Sequence, residues 1–450
     1  MKYLRSLFIT AISLSLIQCK TFTDQNKLID PLVNTDSLKQ IEERIRLDFS
    51  VTEEQVEELI KERTGKYSDA DKSFWEENGW LEWRLLDGKK MYFNRAVSNL
   101  ILIKKFYDEK DKRLVEIAAD PEMISRMKHT EEILKASVKS SDPVLPVKME
   151  ITYTITVIPD AVPDGETIHC WMPFPKEGHQ RQNSADLLST SEKKYLISPE
   201  KAIHRSLFME TKAEKGKPTV FQATFKYQSK GQYVNLSGKM IFPYNKSSDL
   251  YKKYTSEQLP HICFTPDIKR LADSLTSVND NPVETVRKIY LWFKENIPWT
   301  GALEYSIIPN IPEYVYLNSR GDCGMQTFLF MSMLRYKGIP VRWQSGWKVP
   351  PGDKNLHDWC EVYYEGIGWV PSDISYDLQA SDVKELKEFY ISGIDSYRMI
   401  INDGISGQLY PAKKFMRSEP FDFQRGELEW RGGNLYFDKW DYEMEIEYVK

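Results

Sequence analysis

Cys323, His357 and Asp373 are a thiol, an imidazole and a carboxylate in the chain order that a nucleophile, a base and an orienting acid could use for acyl transfer. The thiol stands in SRGDCGMQTFLFMSMLRYKGIPVR, where Gly321 and Gly324 flank it and an apolar helical run opens that stops at Gly338 and Pro340. A thiol at a helix N-terminus faces the positive end of the backbone dipole, so its pKa is expected to fall and a thiolate to be accessible near neutral pH. The other two follow in LHDWCEVYYEGIGWVPSDIS. In such a set the thiolate attacks an amide carbonyl, the imidazole takes the thiol proton and later protonates the leaving amine, and the carboxylate fixes the tautomer. The Cys323 N–H at the helix start is the expected oxyanion donor. Trp299, in the loop before the thiol, is a candidate for the second, with simple packing as its other reading.

A hairpin must bring His357 to Asp373. A three-residue loop at Tyr364-Glu365-Gly366, with Gly366 left-handed, sets residue 357 opposite residue 373 on one face, with Cβ atoms about 4.5 to 5.5 Å apart. A shift of one residue would put them on opposite faces, and the glycines at 366 and 368 fit both registers. Cys360, three residues from His357, falls on the other face and reads as a core thiol.

These residues need a rigid base. The helix after Cys323 is apolar on nearly all sides, from Met325 to Leu334, and so belongs in the middle of a domain. Before it, NPVETVRKIYLWFKENI is an amphipathic helix with Pro282 at its first turn, joined to the thiol by a loop from Ile297 to Arg320. The strands VRWQSGWKV, HDWCEVYYE and GWVPSDI follow. Farther upstream, VKMEITYTITVI, TIHCWMPFP, PTVFQATFKYQ and YVNLSGKMIF alternate in polarity, predicting a β-sandwich over 146–245. Residues 36–140 read as mainly helical, with a capping box from Thr52 to Gln55, a helix end at Gly65 and a hairpin turn at Asp87-Gly88. The expected organisation is α+β and multidomain: this helical region, the sandwich, a core over 251–395 and a β-rich segment over 396–450 whose strands can complete one of the sheets.

The length of 450 residues fits about two to four domains. Apolar residues at 41% supply enough burial for a folded chain, and a net charge of −5 without a basic stripe argues against nucleic acid as a partner. Five widely spaced cysteines read mostly as free thiols, and no metal-ligand spacing is present, so neither a metal site nor a cofactor is expected. Lys2 and Arg5 precede an apolar stretch from Leu7 to Ile17, too short to span a bilayer but fit for a signal peptide over 1–18. It ends in LIQC, which resembles the lipobox of bacterial lipoproteins. Gln18 departs from the usual Gly, Ala or Ser, and an ordinary secretory signal or an uncleaved anchor is the other reading. The resemblance implies lipidation at Cys19, a tether over 19–35, and an extracytoplasmic protein anchored to a bacterial membrane at the periplasm or cell surface.

The blocks GDCGMQTFLFMSMLRYKGIPVR and HDWCEVYYEGIGWVPSD resemble the transglutaminase-like core of transglutaminases, bacterial transglutaminase-like proteins and peptide N-glycanases, over roughly residues 282–376. The resemblance implies a papain-like α/β core, with Cys323 at the nucleophile position, His357 at the base and Asp373 at the third. It implies a thioester acyl-enzyme on a protein or peptide amide. Water would then give hydrolysis, the favoured outcome, and a lysine amine a crosslink. The competing expectation is a surface binding module that grips a polymer and uses the core as a scaffold. The oligomeric state is left open.

Overall fold

The computed structural model describes residues 35–108, 120–140 and 142–449. The expected signal peptide at 1–18, Cys19 and all but the last residue of the expected tether lie outside the described residues. The chain is an α+β protein of helices and antiparallel sheets.

The first region holds α1 (Thr35–Asp48), β1 (Val51–Thr52), α2 (Glu53–Thr64), α3 (Asp69–Glu77), β2 (Trp83–Leu86), β3 (Lys89–Tyr92), α4 (Ala96–Asp108) and α5 (Pro121–Ser137). Thr52 accepts from Gln55 N while the Gln55 side chain accepts from Thr52 N, so two otherwise unpaired donors are satisfied at the start of α2. Asp87 and Gly88, with φ of 50° and 76°, make the tight turn that twists β2 onto β3.

Next come β4 (Val144–Val157), β5 (Thr167–Pro173), β6 (Ala185–Thr190), β7 (Tyr195–Ile197), β8 (Ser206–Lys212) and β9 (Thr219–Tyr233). In β4, Met149, Ile151, Tyr153, Ile155 and Val157 are buried and their neighbours less so, the period-two signature of a sheet covered on one face. They pair across to β9 as Ile151 with Phe225, Tyr153 with Ala223 and Ile155 with Phe221. The strand expected in YVNLSGKMIF does not form beyond Tyr233. Asn235 accepts from Ser237 N at 2.9 Å, and Gly238 takes a positive φ of 69°, so a local turn wins over the strand.

The region that carries the thiol comprises α6 (Asp249–Thr255), α7 (Pro266–Leu275), α8 (Pro282–Asn296), α9 (Ile311–Asn318), α10 (Cys323–Tyr336), β10 (Val341–Lys348), β11 (Asn355–Tyr364), β12 (Gly368–Ser372), the short α11 (Lys384–Lys387), β13 (Gly393–Ile394) and β14 (Arg398–Asn402). Helix α9 corrects the loop expected from Ile297 to Arg320: Asn310 caps it by accepting from Glu313 N, and Pro312 sits in its first turn, where a missing N–H costs nothing. Every residue of α10 from Gly324 to Arg335 is buried. Each large apolar side chain there contributes roughly 1.5 to 3 kcal/mol of burial. Its polar residues return their hydrogen bonds to the helix, Thr327 to Cys323 O at 2.7 Å and Ser332 to Phe328 O at 2.9 Å. The sheet beside it has the order β12-β11-β10-β14.

The last strands, β15 (Glu427–Trp430), β16 (Gly433–Leu435) and β17 (Trp440–Val449), do not form a unit of their own. Strand β17 pairs with β4 along ten residues, β13 extends the same sheet beyond β9, and β15 joins β5 in the facing sheet, of order β16-β15-β5-β8-β7. The sandwich therefore takes strands from 146–245, from the region around the thiol and from the C-terminal segment.

Candidate active site

The α10 tip is built around small residues. Asp322 caps the helix by accepting from Met325 N at 3.0 Å, and its Oδ1 also accepts from the Tyr305 hydroxyl at 2.5 Å. A Cβ on Gly324 would lie 2.2 Å from the Tyr305 oxygen and 2.6 Å from Asp358 Oδ2, so only glycine lets those two groups close on the thiol. Trp299 stands beside the same tip: its backbone bridges to Gly321 in parallel, and Thr300 N donates to Gly321 O at 3.2 Å.

His357 and Asp373 meet. His357 Nε2 lies 2.7 Å from Asp373 Oδ2, with both residues buried, which leaves Nδ1 as the nitrogen available to a thiol. The register differs from the expected one by two residues. The turn is Glu365-Gly366-Ile367, closed by Tyr364 opposite Gly368, and the ladder ends at Cys360 opposite Ser372. Gly366 has the expected left-handed φ, 86°. Because the shift is even, the facing is kept, and the carboxylate reaches the imidazole from just past the end of β12.

More groups hold Asp373 than the three expected residues. Arg398 Nη1 donates to Oδ2 at 2.8 Å, and the Ser375 hydroxyl donates to Oδ1 at 2.8 Å. Arg398 is fully buried, lies over the rings of Trp359 and Tyr376, and also donates to Asp395 Oδ2 at 2.8 Å. Tyr376 packs edge-on against the His357 ring at 5.3 Å. Gly346, opposite His357 in β10, has no room for a side chain, since a Cβ would fall 1.9 Å from Met399 O.

Burial pushes the Asp373 carboxyl up, but its interactions with His357 and Arg398 outweigh it and hold the group well below the ordinary carboxylate range. Burial pushes His357 down, with Asp373 acting in the opposite sense. The expectation for Cys323 needs correction: burial, then the carboxyls of Asp358 and Asp322, push its thiol well up. The helix dipole acts in the opposite sense to the desolvation of the sulfur and the acids round it. Thiol and imidazole are therefore both neutral at rest.

Cys323 and His357 line one cavity of about 370 Å³, with Trp299, Leu356, Ser375 and Tyr376. A second cavity, of about 350 Å³, opens on the other side of Cys323 and Trp299 and is rich in acidic groups. Among the described residues the sulfur's hydrogen-bond partner is Asp358, whose Oδ2 accepts from the thiol at 3.3 Å and whose backbone also interacts with it, not the imidazole. Cys360 is fully buried on the α10 side of β11. Sequence reasoning missed Arg398, Ser375, Asp358 and Gln424. Asp358 and Ser375 each lie within two residues of a triad candidate and could have been weighed there. Arg398 and Gln424 are separated from the triad residues by chain with no periodic signal.

A buried helix tipped by a thiol, against an antiparallel sheet that pairs an imidazole with a carboxylate, defines a cysteine-enzyme-like fold. Residues 269–374 match the model of the Transglutaminase-like superfamily. Over 122 residues it is 27% identical to the protein YebA of Bacillus subtilis strain 168, a stretch that is 23% of this chain and 16% of that relative's length. Among solved structures it is similar to one described as a candidate cysteine protease from Cytophaga hutchinsonii, with a TM-score of 0.47, 12% identity, and 68% of this chain and 92% of that one covered. It is also similar to the periplasmic domain of TgpA from Pseudomonas aeruginosa, with a TM-score of 0.25, 12% identity and coverage of 57% and 94%. No helix among the described residues is long and apolar enough to cross a membrane.

Proposed function

We propose that this chain is an extracytoplasmic cysteine enzyme that acts on protein or peptide amides through a thioester on Cys323. The observation that carries the reading is the shared cavity of Cys323 and His357, with the His357 imidazole held by Asp373 at 2.7 Å. With Nε2 bonded to the carboxylate, Nδ1 is the atom that takes the thiol proton as sulfur attacks the carbonyl carbon. The C–S bond forms as the carbonyl π bond opens to oxygen. The Cys323 N–H, with Trp299 beside it, faces that oxygen. Collapse expels the amine, which takes the proton from Nδ1. Asp373 stays ionised throughout and stabilises the imidazolium, a role that fits the His357 and Arg398 contacts that hold it so. Neutral resting partners mean that charge separates only when a carbonyl is there to receive the sulfur.

Hydrolysis is the proposed fate of the thioester, and transfer to an amine its alternative. The test incubates the full chain with a peptide library, with and without an added primary amine, and reads the products by mass spectrometry. Cleaved peptides that need Cys323 support hydrolysis, and amine adducts that need it assign transfer. Products that persist unchanged in Cys323→Ala overturn the proposal.

A further inference from the structure

Resting on the role proposed for Cys323, a second feature of the site concerns the partner the sulfur has in the structure. Asp358 Oδ2 lies 3.3 Å from Cys323 Sγ, while Gln424 Nε2 donates to Asp358 Oδ1 at 2.8 Å and to His357 O at 2.9 Å. Gln424 is itself fixed: its N–H donates to Glu419 Oε2 at 2.7 Å, and its carbonyl accepts from the Trp347 indole at 2.9 Å. The Asp358 carboxyl is thus oriented, with one oxygen on an amide donor and the other on the sulfur.

The charge state of that carboxyl follows from its surroundings. It is 2% exposed, and the ionisable groups round it are Cys323 and Asp322 from α10, Glu304 and Tyr305 from the segment between α8 and α9, and Glu419, Asp422 and Arg425 from the segment before β15. Arg95 lines the same cavity. Arg425 is committed to Glu304, at 2.9 Å, and to Glu419, at 2.6 Å. Among the described residues no ion pair reaches Asp322, Asp358 or Asp422. Asp358 and Asp422 are buried and Asp322 is half-buried, and with Arg95 and Arg425 acting only from a distance, ionising all three neighbouring carboxyls together is costly. Burial, with Asp422 and Asp322 adding to it, pushes Asp358 well above the ordinary range. In the resting site Gln424 donates to Oδ1 and the Cys323 thiol donates to Oδ2, so a proton carried on Oδ2 turns toward the sulfur only once the thiol has lost its own.

We infer that Asp358 is a catalytic residue that works as a neutral acid, donating an Oδ2–H hydrogen bond to the Cys323 sulfur as the thiol proton passes to His357. The donor offsets part of the cost of a thiolate in a buried setting. No bond of Asp358 breaks, and its proton stays on Oδ2. Once ionised, the same carboxyl would repel the thiolate, so the device works only on the acid side of its own titration.

The test measures alkylation of Cys323 by iodoacetamide in the full chain over about pH 5 to 9, followed by mass spectrometry, in the wild type, Asp358→Asn, Asp358→Ala and His357→Ala. Asn keeps a neutral donor, so Asp358→Asn should react within about threefold of the wild type, whereas Asp358→Ala should be slower by about tenfold, the worth of a hydrogen bond to a charged atom. The wild type should also lose rate relative to Asp358→Asn at the alkaline end. Faster reaction in both Asp358 variants would mean that the carboxyl is ionised and repels sulfur, and overturns the inference. Equal slowing in both, with an unchanged pH profile, would make the residue a packing element only and overturns it too. If Asp358→Ala does not fold, the alkaline limb of Asp358→Asn decides alone, and its persistence counts against the inference. Unchanged alkylation in His357→Ala would instead remove the proposed base, leaving the Asp358 comparison to be read separately.

Discussion

At the scale of single residues, the site combines a neutral thiol with a strongly ionised carboxylate, and these two extremes come from different causes. Asp373 is buried among donors, so its charge is stabilised; Cys323 is half-buried beside acids, so its charge is not. Asp373→Asn should keep the fold and cut turnover by about a hundredfold or more, because the amide allows the wrong imidazole tautomer. Turnover measured against a cleaved library peptide checks this, and an unchanged rate removes Asp373 from the mechanism. Cys360→Ala should leave turnover largely intact, since that thiol faces the α10 side of β11 and gives its hydrogen bond to Ser372 O at 3.5 Å. The three triad candidates were legible in the sequence because residue type, glycine flanks and strand parity all constrained them together. The charge state of the thiol was not. It depends on Asp358 and Asp322, and a local sequence does not reveal which acids fold onto a sulfur or lose their water.

At the scale of elements, strand β10 accommodates β14 so closely that Gly346 cannot carry a side chain. Gly346→Ala should force the two strands apart at Met399, cost about 2 kcal/mol or more of stability, and disturb His357 opposite it. A melting curve together with alkylation of Cys323 checks both effects. Buried Arg398 joins β14 to the end of β12 through Asp373, and Arg398→Met should leave Asp395 without its ion pair and Asp373 with only His357 and Ser375, at a cost of about 3 kcal/mol or more. That pairing also sets a pH dependence. Burial pushes Asp395 up, but Arg398 outweighs it and holds the group down to about 2, below its value in the unfolded chain. A depressed carboxyl contributes stability that is present above the ordinary carboxylate range and is lost as the pH falls through it, from about 4 toward 2. The raised Asp322, Asp358 and Asp422 slope the other way. The diagnostic quantity is therefore the difference between wild type and Arg398→Met, which should shrink on acidification over that window; a constant difference would exclude the charge-based account. The elements themselves were read from local signals with unequal success. The Thr52 capping box, the Asp87-Gly88 turn and the period of β4 each rest on residues close together in the chain, whereas β9 ends early because an Asn235 turn outcompetes an alternating pattern.

At the scale of the whole molecule, the sandwich and the thiol-bearing region are built into each other, since β13, β15 and β17 close sheets begun by β4, β5 and β9. Long-range pairing of this kind leaves no mark in a linear reading, which is why the C-terminal segment reads as strands that complete a sheet without showing which one. It also means that a truncation after β14 should expose the edge of β4 and abolish cooperative unfolding, a result readable by limited proteolysis. The membrane attachment expected from the sequence is testable at Cys19: Cys19→Ser should release the protein from membranes and prevent incorporation of labelled fatty acid, and unchanged incorporation would remove that expectation. The central claim, that His357 draws the proton from Cys323 as the sulfur takes an acyl group, is tested most directly by mass-spectrometric capture of the acyl adduct after mixing the full chain with an activated ester. The account predicts an adduct on Cys323 in the wild type, lost in Cys323→Ala and slowed by at least about a hundredfold in a folded His357→Ala. Acylation of Cys323 at the wild-type rate in His357→Ala would contradict it.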